Sequence, residues 1–470
     1  MKIAFHTLGC KVNQYETEAM KEQFAAFGHD IVPEDDFADV YIINTCTVTN
    51  LADRKSRQYI RKMKRVNPDA IVAVTGCYAQ VNPEEVRLLE GVNIVAGTNE
   101  KNNLVTYVED FAARKAERHA RQSAQENDLE EENGFEETSS PVGCLAKRMA
   151  CGDDRVAECY VLDYEDLDTY ESSGIITSME SRTRAYIKIQ EGCNRFCSYC
   201  IIPYARGKVR SRSMDEIVQE AEGLLAKGFK EIILTGINTA LYGTDIGMGG
   251  IEPLIKRLVA IEGDFRIRLS SLEPTVINAE YVKGLLKYEK LCNHLHLSIQ
   301  SGSDNVLKAM NRRYDRKEYL GIVKILQEAD PCYGITTDII VGFPGETQGD
   351  FGDSLSIIDE VGFCKVHAFK YSKRQGTKAA DMPNQISGEE KNARSALLIE
   401  KAEADGKRFF ARNIGQTRRV LFEEMTAGGF ATGYTDNYIK VYVKGDQSLL
   451  NSFKNVKLLE EYKDGMKGEI

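Results

Sequence analysis

The sequence of 470 residues has no apolar run long enough to cross a bilayer. Its first residues, Met-Lys-Ile-Ala-Phe-His, also lack the long apolar segment of a secretory signal. Hydrophobic residues at 42% and charged residues at 28% are typical of globular proteins in water. We therefore expect a cytoplasmic protein without membrane contact, built from about two to four domains.

An excess of positive charge is also missing. The net charge of −10 argues against indiscriminate binding of nucleic acid, so any such binding must depend on local basic patches. Because the cytoplasm is reducing, the 12 cysteines are expected to be metal ligands or core thiols rather than disulfides.

Three cysteines lie close together in the segment Glu-Gly-Cys-Asn-Arg-Phe-Cys-Ser-Tyr-Cys, at Cys193, Cys197 and Cys200. No fourth Cys or His stands at ligand spacing nearby, whereas structural zinc almost always takes four ligands. Three thiolates would leave one iron of a four-iron cluster without a protein ligand, and a small chelating molecule could bind there. The alternative is a zinc site completed by a distant histidine.

A second set of cysteines follows three predicted strands. Apolar strands at 2–6, 40–44 and 70–75 alternate with helical patterns at 15–27 and 50–66, which predicts a parallel α/β sheet. The strands run into Cys10, Cys46 and Cys77. Because the carboxyl ends of parallel strands gather at one edge, these thiols are expected to hold a second cluster. The alternative is three buried core cysteines.

These motifs resemble two known families. The segments Leu-Gly-Cys-Lys-Val-Asn-Gln-Tyr-Glu (8–16), Asn-Thr-Cys-Thr-Val-Thr (44–49) and Thr-Gly-Cys-Tyr-Ala (75–79) resemble the amino-terminal domain of the methylthiotransferases. The C-x3-C-x2-C spacing of the first triad resembles that of the radical S-adenosylmethionine (SAM) superfamily. Gly-Cys-Lys-Val-Asn-Gln is similar to the MtaB branch, whereas MiaB proteins usually have Gly-Cys-Gln-Met-Asn and RimO proteins Gly-Cys-Pro-Lys-Asn.

The resemblance implies an enzyme with two [4Fe–4S] clusters that converts N6-threonylcarbamoyladenosine, next to the tRNA anticodon, to its 2-methylthio derivative. Cys193, Cys197 and Cys200 would be the catalytic triad, whose cluster binds and cleaves SAM, and the other triad would hold the cluster that supplies sulfur. One SAM would yield the radical and a second the methyl group. A low-potential electron donor such as flavodoxin or ferredoxin is implied.

Three other functions remain open. Two are the same chemistry on isopentenylated adenosine or on a ribosomal-protein aspartate. The third, of another class, is a non-catalytic iron–sulfur sensor that binds RNA.

From residue 184 onward, strand and helix patterns alternate six times, with strands predicted at 185–190, 231–235, 266–270, 294–299, 335–341 and 365–371. Six βα units predict a partial (β/α)6 barrel, as the resemblance also implies. The loop with the first triad follows the first of these strands, at the carboxyl face where barrel enzymes place their chemistry.

Several residues of this barrel are candidates for binding SAM. By resemblance Tyr199 lies near the adenine, although a core tyrosine is the alternative. Period-two alternation in His-Leu-His-Leu-Ser-Ile-Gln (294–300) turns Ser298 and Gln300 into the lumen, where they could contact SAM or the substrate base. The alternative for each is a core polar residue with satisfied hydrogen bonds. A further segment resembles one that lines the SAM pocket of the family, and its residues are Gly342, Phe343, Pro344, Gly345 and Glu346.

Two basic segments are candidates for binding tRNA phosphates. The helix after Cys46 carries Arg54, Arg57 and Arg61 in a run of seven cations without an intervening acid, and its alternative is an ordinary solvated face. The segment after the first triad carries Arg206, Arg210 and Arg212, for which the alternative is packing and salt bridges beneath the barrel.

We predict four segments. Residues 1–110 form the α/β domain and 181–411 the radical SAM core. Residues 111–180 form an acidic linker whose Cys144, Cys151 and Cys159 match no metal spacing, so inert thiols and a redox role both remain open. In 412–470, short alternating strands predict a small antiparallel barrel that resembles the RNA-binding TRAM domain.

Overall fold

The computed structural model describes residues 1–129, 157–177, 179, 183–274 and 276–470. By its contacts the chain divides into two compact units. The first comprises Met1–Gly9, Met20–Thr47 and Leu51–Asp163, and the second Cys10–Ala19, Val48–Asn50 and Tyr164–Ile470. No helix in the described part of the chain has both the length and the apolar character needed to cross a membrane.

The amino-terminal part of the chain alternates strands with helices. Its strands are β1 (Lys2–Thr7), β2 (Asp30–Val32), β3 (Val40–Thr45), β4 (Ile71–Gly76), β5 (Ile94–Ala96) and β6 (Glu158–Tyr160). Its helices are α1 (Lys11–Ala26), α2 (Asn50–Val66), α3 (Cys77–Val81), α4 (Pro83–Arg87) and α5 (Leu104–Leu129).

The strands of the first unit form one parallel sheet in the order β2-β1-β3-β4-β5-β6. Because side chains alternate along a strand, Val40 and Ile42 pack on one face against Met20 and Phe24, whereas Tyr41 and Ile43 pack on the other face, against α2. After β1 the chain continues to β2, toward one edge of the sheet, whereas after β3 it continues to β4, toward the other edge. The boundary between β1 and β3 is therefore the topological switch point of the sheet.

The second unit contains a further set of alternating strands and helices. Its strands are β7 (Arg184–Glu191), β8 (Arg210–Ser211), β9 (Glu231–Gly236), β10 (Arg266–Leu269), β11 (Ser271–Leu272), β12 (His294–Leu297), β13 (Gly334–Val341) and β14 (Lys365–Lys370). Its helices are α6 (Ile202–Arg206), α7 (Met214–Ala226), α8 (Glu252–Val259), α9 (Ala279–Leu285), α10 (Asp304–Ala309), α11 (Arg316–Ala329), α12 (Gln348–Val361) and α13 (Gly388–Asn413).

These strands form an open partial barrel. One sheet has the order β10-β9-β7-β8 and the other β11-β12-β13-β14, and a parallel bridge joins Ile267 of β10 to Leu291, which precedes β12. All neighbours are parallel except β8, which runs antiparallel to β7. The core lies between strands and helices and includes Ile187, Leu234 and Leu297. The prediction of a partial barrel is confirmed.

The chain ends in a closed five-stranded barrel. Its strands are β15 (Thr417–Met425), β16 (Phe430–Thr435), β17 (Lys440–Lys444), β18 (Phe453–Tyr462) and β19 (Gly465–Glu469). The prediction of a small barrel is confirmed, but an antiparallel barrel was expected, and β19 runs parallel to β17. The glycines of Gly-Met-Lys-Gly-Glu conceal this strand in the sequence.

A turn of the small barrel closes the amino-terminal end of the large one. Arg268 donates to the carbonyl oxygens of Asp436 and Thr435, at 3.0 and 3.1 Å. The ring of His294 stacks on Tyr438 with 4.4 Å between centroids. Since both Arg268 and His294 are buried, this turn is part of the barrel's interior packing.

The segment predicted as a linker contributes to the first unit. Strand β6 lies within it and pairs with β5, which places Cys159 on the sheet edge, where burial raises the pKa of its thiol. Helix α5 also extends into this segment, since it ends at Leu129. Cys144 and Cys151 lie outside the described residues.

Candidate active site

The loop that carries the first cysteine triad is anchored on both sides. Gly192 has φ of +73°, and a Cβ there would lie 1.6 Å from the carbonyl oxygen of Lys208, so only glycine fits this close approach. Ser198 donates its N–H to the carbonyl of Met310 (3.0 Å) and its hydroxyl to that of Ala309 (2.8 Å). The loop therefore holds its cysteines at a fixed place above β7.

The three thiols of this loop face one cavity and are only partly exposed. Burial raises the pKa of Cys193 to about 11 and that of Cys200 to about 12. Burial also raises the pKa of Cys197, although Arg312 opposes the shift. Thiols in this setting ionise at neutral pH only when a cation compensates them. Since no other Cys or His is among the described residues that line the cavity, this donor set fits a cluster with one open iron.

The cavity has a volume of about 300 Å³ and opens at the carboxyl ends of the barrel strands. Residues from the cysteine loop, from the segment that follows β12, from β13 and from the end of β14 all line it. Its described lining is Val48, Thr49, Cys193, Arg195, Cys197, Tyr199, Cys200, Ile202, Ile237, Asn238, Ser271, Leu272, Glu273, Ser298, Gln300, Arg312, Asp338, Ile340, Phe369, Lys370, Tyr371 and Ser372. This size suits a small organic ligand.

A buried carboxylate organises one wall of the cavity. Glu273 pairs with Arg195 at 3.0 Å and with Arg312 at 3.1 Å, and it accepts a bond from Asn238 at 2.8 Å. Arg312 also donates to the Tyr199 hydroxyl at 2.6 Å. Sequence reasoning found Tyr199 but missed the other four residues. The position of Glu273 directly after β10 and β11, at the carboxyl face of the barrel, was the available signal.

Ser298 and Gln300 line the cavity, as the sequence predicted, but for different reasons. Ser298 lies one residue beyond β12, and its hydroxyl bonds to Asp338 at 3.2 Å and to His296 Nε2 at 3.0 Å. The strand alternation has ended at Gln300, whose φ of +70° turns the chain toward the cavity. Asp338 accepts a bond from His296, which helps hold the pKa of its carboxyl low against the effect of burial.

The segment of residues 342–346 does not line the cavity among the residues that the structure describes. Glu346 instead pairs with Arg394 and accepts the Gly342 N–H at 2.7 Å, so the segment closes on itself. Phe343 is buried and packs edge-on against Tyr371, which is a lining residue. The segment supports the cavity wall through Phe343, and SAM contact by Gly342, Phe343, Pro344, Gly345 and Glu346 stays a prediction.

The three arginines after the cysteine loop are buried, with exposed fractions of 0% for Arg206, 2% for Arg210 and 1% for Arg212. Arg206 pairs with Glu16 and Glu191, and Arg212 pairs with Glu220 at 2.6 Å. Guanidinium groups enclosed in this way cannot reach a phosphate. The predicted RNA-binding role of these three arginines is corrected to the alternative of packing and salt bridges.

Two cysteines of the second triad are neighbours in the first unit. Thr45 of β3 is paired with Gly76 of β4, so Cys46 and Cys77 follow directly on adjacent strands, and both are buried. A Cβ at Gly76 would lie 2.4 Å from the carbonyl oxygen of Thr45, so glycine permits this close approach. Cys10 follows β1 in the sequence, three residues beyond Thr7, and its side chain is exposed.

The basic helix α2 presents two kinds of arginine. Arg54 and Arg61 are exposed. Arg57 is half-buried and donates to the Tyr78 hydroxyl and to Glu85, each at 2.9 Å. Burial and pairing thus leave Arg54 and Arg61 as the cations of the predicted set that a phosphate can approach.

Three family models match separate parts of the chain. Residues 2–97 match an uncharacterized protein family designated UPF0004, residues 187–358 the radical SAM superfamily, and residues 411–469 the TRAM domain. Together the three matches cover the two parts of the chain that carry the cysteine triads and the small barrel that follows them.

Curated relatives are similar over nearly the full length. The threonylcarbamoyladenosine tRNA methylthiotransferase MtaB of Bacillus subtilis is 40% identical over 463 residues, which cover 97% of this chain and 94% of that protein. The MtaB protein of Thermotoga maritima is 35% identical, covering 99% and 96%. The tRNA-2-methylthio-N(6)-dimethylallyladenosine synthase of Acetivibrio thermocellus is 33% identical, covering 96% and 87%.

Among solved structures, the radical SAM methyltransferase TsrM from Kitasatospora setae, with cobalamin and a [4Fe-4S] cluster bound, superposes with a TM-score of 0.55. The match covers 81% of this chain and 77% of that one at 14% identity, which shows a common fold.

Proposed function

Because this chain belongs to the radical SAM tRNA methylthiotransferases and is of the MtaB type, we propose that it converts N6-threonylcarbamoyladenosine beside the tRNA anticodon to the 2-methylthio derivative. The observation that carries the proposal is the convergence of Cys193, Cys197 and Cys200 on one cavity that has room for a small ligand beside them. The threonylcarbamoyl specificity rests on relatives of that name at 35–40% identity.

The family uses SAM and a [4Fe–4S] cluster, and the residues present fit both. Cys193, Cys197 and Cys200 would hold the cluster and leave one iron for SAM. The chemistry supplied by these groups when bound is reductive cleavage of SAM to a 5′-deoxyadenosyl radical. A low-potential donor such as flavodoxin or ferredoxin would supply the electron.

The protein contributes position and exclusion of water. The buried pairs of Glu273 with Arg195 and Arg312 hold the cavity wall rigid, because each of these side chains is fixed by a charged partner. Tyr199, fixed by Arg312, would face the adenosine part of SAM. Ser298 and Gln300 present polar groups at the same cavity. These residues would hold SAM and the target adenine close together, since a radical must meet its target before it meets solvent.

A second cluster on Cys10, Cys46 and Cys77 would supply the sulfur. Its support within the first unit is the adjacency of Cys46 and Cys77 at the strand ends. The order of β1 beside β3 at the switch point, where parallel sheets bind ligands, supports it further. A second SAM would supply the methyl group.

For tRNA, the exposed cations of α2 and the TRAM domain would bind the backbone around the modified position. The flat adenine would have to leave its stack to reach the cavity.

The test is nucleoside mass spectrometry of tRNA from cells with and without the gene. We expect loss of the 2-methylthio group from threonylcarbamoyladenosine alone. Loss from the isopentenylated adenosine instead would favour the second candidate, which the dimethylallyladenosine synthases at 32–33% identity support. Unchanged tRNA nucleosides would contradict both and direct the search to a protein substrate or to an RNA-binding sensor.

A further inference from the structure

The wall of the cavity beside the first cysteine triad carries more positive than negative charge. Arg195 and Arg312 both pair with the same carboxylate, that of Glu273, at 3.0 and 3.1 Å. All three residues line the cavity. The second carboxylate of the described lining, Asp338, pairs instead with His296. Two guanidinium groups and one carboxylate leave an excess of one positive charge in what we call the arginine–glutamate group.

Both arginines of this group are attached to the loop that carries the thiols. Arg195 belongs to the loop itself, two residues after Cys193. Arg312 donates to the hydroxyl of Tyr199 at 2.6 Å, and Tyr199 directly precedes Cys200. The arginine–glutamate group and the three thiols therefore share one cavity wall as well as one cavity.

The charges of the group are largely removed from water. The side chains of Arg312 and Glu273 are each 8% exposed. Charges in such an environment act strongly on their neighbours, because the local dielectric constant is low. The effect reaches the loop: burial raises the pKa of Cys197, Arg312 opposes that rise and Glu273 adds to it.

One donor of Arg312 lacks a protein acceptor. Its Nε is buried and has no hydrogen-bond partner among the described residues, whereas its two terminal nitrogens donate to Glu273 and Tyr199. Enclosed N–H groups nearly always have an acceptor, so an unpaired one in a cavity wall indicates a ligand atom. The sulfur atoms of an iron–sulfur cluster are such acceptors, and hydrogen bonds to them help to set its reduction potential.

We propose that the arginine–glutamate group sets the reduction potential of the cluster held by the first cysteine triad. This inference rests on the cluster of the proposed function. Reduction transfers one electron from the low-potential donor and adds one negative charge to the site. Each arginine favours the reduced state and raises the potential, whereas Glu273 lowers it. The excess positive charge makes the cluster easier to reduce.

The experiment is a redox titration of the full-length chain with dithionite, without SAM, followed by electron paramagnetic resonance of the reduced cluster. The parent protein carries Cys46→Ala and Cys77→Ala, so that the first cluster alone contributes to the signal. In Arg312→Gln we expect the ratio of reduced to oxidised cluster at a fixed potential to fall about tenfold, which is about 59 mV for one electron. Glu273→Gln should raise this ratio by a similar factor, and the two changes combined should largely cancel.

Three further variants separate charge from structure. Arg312→Lys should retain part of the parent potential, because it keeps the charge and loses the planar fork. Arg195→Gln should lower the potential like Arg312→Gln. Since the Arg195 side chain is 18% exposed, this variant provides the test if the more buried replacement fails to retain the cluster. Arg313→Gln is the matched control, because Arg313 is exposed and next in sequence to Arg312, and its potential should equal that of the parent.

Two outcomes would overturn the inference. One is a shift of the same sign in Arg312→Gln and Glu273→Gln, which would indicate altered access of water rather than charge. The other is a potential equal to that of the parent in both arginine variants. A parent protein without the signal of a reduced four-iron cluster would contradict the proposed function itself, and this result is visible before any variant is compared.

Discussion

Arg206 donates hydrogen bonds to both carboxylate oxygens of Glu16, from 190 residues further along the chain. Both side chains are buried, at 0% and 1% exposure. Glu191 accepts from the same guanidinium at 2.5 Å, and Lys188 lies 3.2 Å from Glu16. Two carboxylates and two cations thus compensate one another, and the start of α1 is tied to the strand that precedes the cysteine loop.

Arg206→Met should lower the free energy of unfolding by about 3 to 5 kcal/mol, because it leaves buried carboxylates without their partner. Glu16→Gln should have a similar effect for the converse reason. Urea unfolding followed by circular dichroism measures both. Arg61→Met, on the exposed side of α2, is the control and should change stability by less than about 0.5 kcal/mol. If Arg206→Met kept full stability but lost tRNA affinity, the original phosphate-binding interpretation would return.

Cys193→Ala should abolish formation of 5′-deoxyadenosine from SAM, because two thiols do not retain the cluster at the cavity. Cys77→Ala should still form 5′-deoxyadenosine but should not insert sulfur into tRNA. Chromatography of reconstituted reactions measures both products. Cys292→Ala, a buried thiol that does not line the cavity, is the control and should retain both reactions. Sulfur insertion by purified Cys77→Ala would exclude the proposed role of the second triad.

Arg61→Gln should weaken tRNA binding about uniformly across sequences and reduce the slope of log affinity against log salt concentration by about 1. The physical reason is the loss of one phosphate contact and its released counterion. Filter binding over a range of salt concentrations provides the slope. Lys324→Gln, on the exposed surface of α11, is the matched control and should leave the slope unchanged. An unchanged slope in both variants would mean that α2 has only a solvated face.

His294→Gln should make stability less dependent on pH. Burial lowers the pKa of His294 well below 6.5, and Arg268, His296 and Lys11 lower it further, while Glu231 acts in the opposite direction. The folded protein therefore keeps this ring neutral, whereas the unfolded chain takes up a proton as the pH falls below about 6.5. Its stabilising contribution is complete above that pH and declines below it, by at most about 1.4 kcal/mol per pH unit.

Urea midpoints between about pH 8 and pH 5 measure this effect. The wild type should lose stability more steeply than His294→Gln as the pH falls. Glutamine retains an N–H donor for the Thr336 hydroxyl, which lies 3.1 Å from Nε2 of His294. A smaller slope should persist in the variant, because burial also lowers the pKa of His367. Equal slopes in the two proteins would show that His294 is protonated in the folded state.

Local patterns in the sequence predicted much of the architecture. Strand alternation, helical periodicity and the short spacing of Cys193, Cys197 and Cys200 are local signals, and the strands and the cavity agree with them. The bounds of α2 agree with the predicted helix at both ends. These features need no knowledge of distant residues.

The errors concern residues whose surroundings are determined by parts of the chain that are distant in sequence. Four basic residues between Arg206 and Arg212 look like a phosphate-binding segment until Glu16 and Glu220, remote in sequence, are found against them. Glu273 and Arg312 carried no motif, and only the closing of strands into a barrel brings them to one cavity.

The turn of the small barrel that meets Arg268 and His294 has a consequence for how such proteins are assembled from parts. Removing the carboxyl-terminal residues would expose a buried guanidinium and the open end of the larger barrel. A module that completes the interior of the neighbouring barrel cannot be exchanged freely between proteins. Recombination that brought in another such module would have to bring matching residues at the base of β10 and β12, so the two barrels are expected to be inherited together.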